Sequence, residues 1–143
     1  MTRRMAFRVL VAAGDSGFCS ALRDLVEATR TLLPIPIEVE DAATLAQVRD
    51  RLAAWSPDVL LLDWHLVPSG LPGALQGLSA EHPDLRLLVL LPESRRQYRA
   101  AAWQAGACAC VPRDRIDPEW LQAILCVMHR AKEREARIRR QVA

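Results

Sequence analysis

Short apolar runs alternate along the chain with stretches whose apolar residues recur every three or four positions. Phe7–Ala13 (FRVLVAA) is a compact apolar run closed by Gly14 and Asp15, the mark of a strand. From Ser16 to Arg30 the apolar positions Phe18, Cys19, Leu22, Leu25 and Val26 follow helical spacing. Pro34 and Pro36 then interrupt, and Ile37–Glu40 reads as a second strand. Asp41 is expected to cap a helix through Trp55, with Leu45, Val48 and Leu52 on one side. After Ser56-Pro57, Asp58–Asp63 is a third strand, apolar toward both faces. Leu71–Glu81 is a short helix weakened by Gly73 and Gly77. Arg86–Leu91 is a fourth strand, and Ser94 is expected to cap a helix through Gln104, with Gly106 just past its end. Ala107–Val111 is a fifth strand. Asp117-Pro118 opens a long last helix, with a capping residue before a proline at the first helical position.

Five strands alternate with five helices, and several strands are continuously apolar, as when helices cover both faces of a sheet. The connections are long enough for right-handed crossovers between parallel strands. The pattern predicts an α/β fold, a doubly wound five-stranded parallel sheet. Sites in such folds lie beyond the C-terminal strand ends. Here those ends bring Ala13–Asp15, Asp63–His65, Leu91–Glu93 and Pro112–Asp114 together.

At 143 residues the chain fits one domain. The apolar runs are too short to span a membrane, and Gly14 and Asp15 stand where a secretory leader would continue, so a cytoplasmic protein is expected. Cys19, Cys108, Cys110 and Cys126 suit neither a disulfide framework nor a zinc site. Cys108 and Cys110, two apart, are expected on the same face of the fifth strand. Net charge is +2, too small to imply nucleic acid. Of the 19 basic residues only Lys132 is a lysine.

The segments RVLVAAGDSGFCSALRDLVE, PDVLLLDWHLVPSG, LRLLVLLPESRRQYRAAAWQAGA and CVPRD, in that order and spacing, resemble the receiver domain of two-component response regulators. The resemblance covers about residues 6–130 and implies a flavodoxin-like sheet of order 2-1-3-4-5. It also implies that an aspartate ending the third strand, Asp63, accepts a phosphoryl group from a histidine kinase. Phosphoryl transfer needs a divalent cation and fixed positive charge around the acceptor, and magnesium takes hard oxygen ligands. The family's metal-holding acidic pair aligns with Ala13 and Gly14, which have no ligating side chain. Asp15 lies one residue beyond, and as the residue before Ser16 it reads as a helix cap. The family hydroxyl aligns with Leu91, the aromatic switch residue with Cys110, and the lysine with Arg113. The proline that follows the aspartate loop is displaced to Pro68.

The expectation is a degenerate receiver: a regulatory and interaction module, not an enzyme, acting through protein partners or dimerisation independently of phosphate. No cofactor is expected; magnesium through Asp15 and Asp63 is the weak exception. The alternatives are a working phosphoacceptor at Asp63 and a flavodoxin-like domain that binds a small ligand at the strand ends. Retained without that chemistry, Asp63 is expected at a solvent-facing strand end, capping a nearby N–H or pairing with Arg113. Asp63-Trp64-His65 opens like the D-x-H-x-x-G box of cobalamin domains, but Pro68 stands at its glycine. Gly14-Asp15-Ser16-Gly17 lacks the P-loop ending.

The partners implied are a histidine kinase or an output domain. Arg95, Arg96, Tyr98, Arg99, Trp103 and Trp120 are the interface candidates on and around the fourth and fifth helices. The division expected is 1–130 for the receiver-like domain and 131–143 for an extension of the last helix, a linker or dimerising tail. Leu121, Ile124, Met128, Ala131, Glu135 and Ile138 follow heptad spacing there. A homodimer through the fourth and fifth helices or this tail is therefore expected, with no membrane and no nucleic-acid role.

Overall fold

The computed structural model describes residues 6–67 and 70–142; Pro68 and Ser69, and so the displaced proline, lie outside them. The strands are β1 (Phe7–Ala12), β2 (Ile37–Ala42), β3 (Val59–Asp63), β4 (Arg86–Leu91) and β5 (Ala107–Pro112). The helices are α1 (Ser16–Glu27), α2 (Leu45–Trp55), α3 (Leu71–Glu81), α4 (Arg99–Gln104) and α5 (Pro118–Val142). All pairings are parallel, in the order β2-β1-β3-β4-β5. The doubly wound, flavodoxin-like prediction holds.

The period-two alternation of strand side chains splits the apolar residues between two cores. Leu10, Leu60, Leu62 and Leu87 face α2, α3 and α4 with Val48, Leu75 and Ala102. Val9, Val11, Leu61 and Leu88 face α1 and α5 with Leu22, Leu121 and Leu125. β3, the central strand, is buried along its whole length. That explains its unbroken apolar run: both of its faces are covered.

Four local expectations are corrected. The fourth helix does not start at a Ser94 cap. Pro92 leads into a 3-10 turn over Glu93–Tyr98 that breaks at Arg95, and α4 begins only at Arg99. Asp41 does not cap α2; it belongs to β2, paired with Val11, and the Thr44 hydroxyl accepts from the Gln47 N–H instead. The first helix ends at Glu27 and tightens into a 3-10 turn over Ala28–Leu32. Cys108 and Cys110 do not share a face. The β4–β5 register shifts between Leu87 and Leu88, which pair with Ala107 and Ala109. This bulge inserts Cys108 and reverses the alternation, so Cys108 packs toward α1 and α5 and Cys110 toward α4.

α5 is 25 residues long and bound to the strand starts. Arg86 is ion-paired with Glu135, Lys132 Nζ donates to the Asp84 carbonyl at 2.6 Å, and Arg139 reaches the Asp84 carboxylate at 2.9 Å. The heptad seam expected from the sequence is not a free seam. Leu121 and Met128 lie in the core, and Glu135 is held by Arg86. Among the described residues no helix is long and apolar enough to cross a membrane.

Candidate functional site at the C-terminal strand ends

Asp63 ends β3, and its side chain is 1% exposed. It is not at the solvent-facing position expected of a retained carboxylate. Burial of an ionised carboxylate is costly unless it is paired, and Asp63 has partners. Arg113 Nε donates to its Oδ1 at 2.8 Å. The His65 N–H donates to the same oxygen at 3.4 Å, and the exposed His65 ring lies 3.5 Å away.

Arg113 is fixed from three directions. Its N–H donates to the Leu91 carbonyl at 2.9 Å, which extends the β4–β5 ladder to the base of the side chain. Its guanidinium lies 4.0 Å over the Phe18 ring, a cation–π contact on the first turn of α1. Its Nε is held by Asp63. Sequence reasoning paired Asp63 with Arg113 but missed Phe18, whose only signal was an aromatic ring in the first turn after the β1 loop.

The other aligned positions surround this pair without adding ligands. Ala13 is buried, and its N–H donates to the Ala42 carbonyl at 3.0 Å. Gly14 follows it. A Cβ at Gly14 would make only ordinary contacts, with the Ala43 carbonyl at 3.7 Å and Leu66 at 3.9 Å, so a methyl fits there. Asp15 caps α1: its Oδ1 accepts from the Gly17 N–H at 2.9 Å. Leu91 is buried and presents only its backbone to Arg113. Cys110 is half-buried in β5, and burial pushes its thiol upward, with Arg99 pulling the other way. The loops after β4 and β5 are tied where the Glu93 N–H donates to the Asp114 carboxylate at 2.8 Å.

The donor set does not fit magnesium. Octahedral coordination requires several hard oxygens. Here the β1 end offers no side-chain oxygen, Asp15 is turned to its own helix, and Asp63 is held by a guanidinium. Among the described residues no group of three or more His, Cys, Asp or Glu side chains is arranged to hold a metal.

Trp64, next to Asp63, is buried and packs against Tyr98 with ring centroids 5.1 Å apart. That contact runs from the end of β3 to the last residue before α4. Trp103 is 62% exposed and Trp120 is 40% exposed. Arg95, Arg96 and Arg99 are exposed, so the candidates divide between one ring packed on the site and a basic, aromatic surface beyond it. A groove of about 460 Å³ opens beside the site, lined in part by Gly14, Ser16, Cys19, Arg23, Asp41 and Gln47. A larger cavity of about 520 Å³, lined in part by Phe7, Asp58 and His129, lies at the opposite, N-terminal strand ends.

The architecture has close structural counterparts. The signal receiver domain of a DNA-binding response regulator (merR) from Colwellia psychrerythraea 34H superposes with a TM-score of 0.75 at 15% identity, covering 87% of this chain and 98% of that one. The chain has the receiver fold. A putative pilus assembly protein (cpaE) from Burkholderia thailandensis E264 has a TM-score of 0.72 at 22% identity, over 86% and 98% of the two chains. A putative response regulator from Chloroflexus aurantiacus J-10-fl has a TM-score of 0.73 at 17% identity, over 86% and 97%. No family model and no curated protein matches the sequence. The fold is therefore shared where sequence identity is low.

Proposed function

We propose that the chain is a degenerate receiver, a module of two-component signalling that works through protein contacts and not through phosphate. The observation that carries this reading is the buried Asp63–Arg113 pair. In a phosphoacceptor, the carboxylate must stay open to an incoming phosphoryl group and a metal. Here its Oδ1 takes the Arg113 Nε at 2.8 Å, and the guanidinium stacks on Phe18. The pair supplies from within the chain the ionic link that a phosphoryl group would otherwise make. Ala13, Gly14 and Leu91 agree with this, since none supplies the oxygen that metal binding or phosphoryl recognition requires.

The partners are a histidine kinase or an output domain, and the docking surface is the exposed basic and aromatic region of Arg95, Arg96, Arg99 and Trp103. Arg99 and Trp103 stand four residues apart on α4, hence on one face. The module does no chemistry of its own and requires no cofactor. Residues 131–142 continue α5, held along the domain by Lys132, Glu135 and Arg139, and serve as a linker or dimerising tail. The working phosphoacceptor is the less favoured reading: Arg113 would supply the fixed positive charge it needs, but solvent would have to replace the missing oxygen ligands at Ala13, Gly14 and Leu91.

Titration with magnesium and beryllofluoride, followed by backbone amide NMR, tests the proposal. The expected result is no saturable shift around Asp63 at millimolar-order ligand. Shifts that saturate, spread to Arg113 and α4, and vanish in Asp63→Asn would overturn it.

A further inference from the structure

A cavity of about 520 Å³ lies at the N-terminal strand ends, away from Asp63. Sites in doubly wound sheets lie at the opposite end, yet its size is that of a small-molecule pocket. Ile35 before β2, Pro57 and Asp58 before β3, and Pro83 and Leu85 before β4 form its walls. His129, Lys132, Glu133 and Ala136 close it from α5, at the three- and four-residue spacing of one helix face.

His129 is the group here that the fold leaves unsatisfied. Its side chain is 6% exposed, and its ring stands edge-on to Phe7 with centroids 5.3 Å apart. Nε2 is buried and makes no hydrogen bond among the described residues. Glu133 Oε1 lies 3.6 Å from it, too far to bond. A buried polar atom without a partner costs stability, and a phenylalanine would fill much the same space without that cost. Nε2 and the Glu133 carboxylate stand side by side, close enough for one donor to serve both. Among the described residues five carboxylates line the cavity against three permanent cations. Two of those cations are engaged: Lys132 Nζ donates to the Asp84 carbonyl, and Arg139 pairs with the Asp84 carboxylate. Charge therefore favours a cationic guest. The half-buried Ile35 and Leu85 offer it an apolar wall.

We propose that this cavity binds a small primary amine with an apolar body. The ammonium donates to Nε2 of a neutral His129 and to the Glu133 carboxylate, and the body lies against Ile35 and Leu85. The site goes beyond the phosphate-independent reading and stands whatever the state of Asp63. It sets a ligand against α5 where that helix runs on into residues 131–142, so the last helix feels occupancy directly. For a probe of about ten heavy atoms, a Kd on the order of 10⁻⁴ to 10⁻³ M is expected.

The test is backbone amide and imidazole NMR of the full chain, titrated with phenethylamine and, separately, with hydrocinnamate, an anion with a closely similar apolar body. The expected result with the amine is saturable shifts at Phe7, Asp58, Leu85 and the turn of α5 around His129, together with a shift of the His129 Nε2 resonance. Hydrocinnamate should bind about tenfold more weakly or worse, and so should the amine to His129→Phe and to Glu133→Gln. Urea unfolding verifies that His129→Phe folds. Its midpoint should lie above the parent's, because the unpartnered nitrogen is gone. No saturable shift at millimolar-order phenethylamine, equal affinity for hydrocinnamate, or amine binding unchanged in His129→Phe overturns the proposal. So does a lower midpoint for that variant, which would show Nε2 to be satisfied within the fold. The beryllofluoride titration reads the opposite strand ends and is independent of each of these outcomes.

Discussion

Cutting Arg113 back to alanine leaves the Asp63 carboxylate buried without its cation. The measured cost of breaking a buried ion pair from one side is roughly 3–5 kcal/mol. The low end applies here, because the Arg113 side chain is 20% exposed and water reaches part of the site. The His65 N–H remains on Asp63 at 3.4 Å, too long to replace the lost bond. Loss of the guanidinium from the Phe18 ring adds about 0.5–1 kcal/mol. A total of about 3.5–4 kcal/mol follows. With a urea m-value of about 2 kcal/mol/M, the unfolding midpoint should fall by roughly 2 M. Equilibrium urea unfolding followed by tryptophan fluorescence measures it. The double variant Asp63→Asn/Arg113→Ala separates causes: with no charge left to bury, it should recover at least half of the loss. If Arg113→Ala costs under 1 kcal/mol, or if the double variant is simply additive, the pair is not what holds the strand ends together. The phosphate-independent reading then loses its physical basis.

Other outcomes follow from single contacts. Gly106 has φ +115°, and a Cβ there would lie 2.1 Å from Ser79 Oγ, so Gly106→Ala should cost about 2 kcal/mol or more in the same unfolding assay. Asp58, buried at the start of β3, accepts from the Arg8 N–H at 2.9 Å; Asp58→Ala should cost about 2 kcal/mol, read as a fall in Tm. The Cys19 and Cys110 thiols are both raised by burial, Cys19 further by the Asp41 charge. Their protons leave the unfolded chain at lower pH than the folded one, so stability should fall as pH rises past the ordinary thiol value. That alkaline loss should shrink in the variant Cys19→Ala/Cys110→Ala, as measured by urea unfolding across an alkaline pH series.

The sheet was legible because its central strands are buried on both faces and write that burial as unbroken apolar runs. α3 and β4 came out with the boundaries they have in the structure, bracketed by His82-Pro83-Asp84. Asp63 and Arg113 were legible as strand-end residues, and their pairing follows from parallel strands that end together. The side-chain alternation of β5 was not legible. A bulge adds one residue without changing composition, and ACACV reads the same with or without it. Nor was the break before α4: Ser94 has the chemistry of a cap, but Pro92 sets the backbone two residues earlier. Phe18 counted as one apolar position among five on α1, and only the fold shows that Arg113 lies across it.

The bulge in β5 has a further consequence for how copies of this chain meet. β5 is an edge of the sheet, and a flat apolar edge strand recruits strands from other molecules. Cys108 interrupts the ladder of this edge and Pro112 ends it without an N–H to offer. The opposite edge, β2, differs: it carries the charged pairs Arg8–Glu38, Arg51–Glu40 and Arg23–Asp41. Charged on one border and bulged on the other, the sheet offers little to an added strand, so fibre-like growth through it is disfavoured.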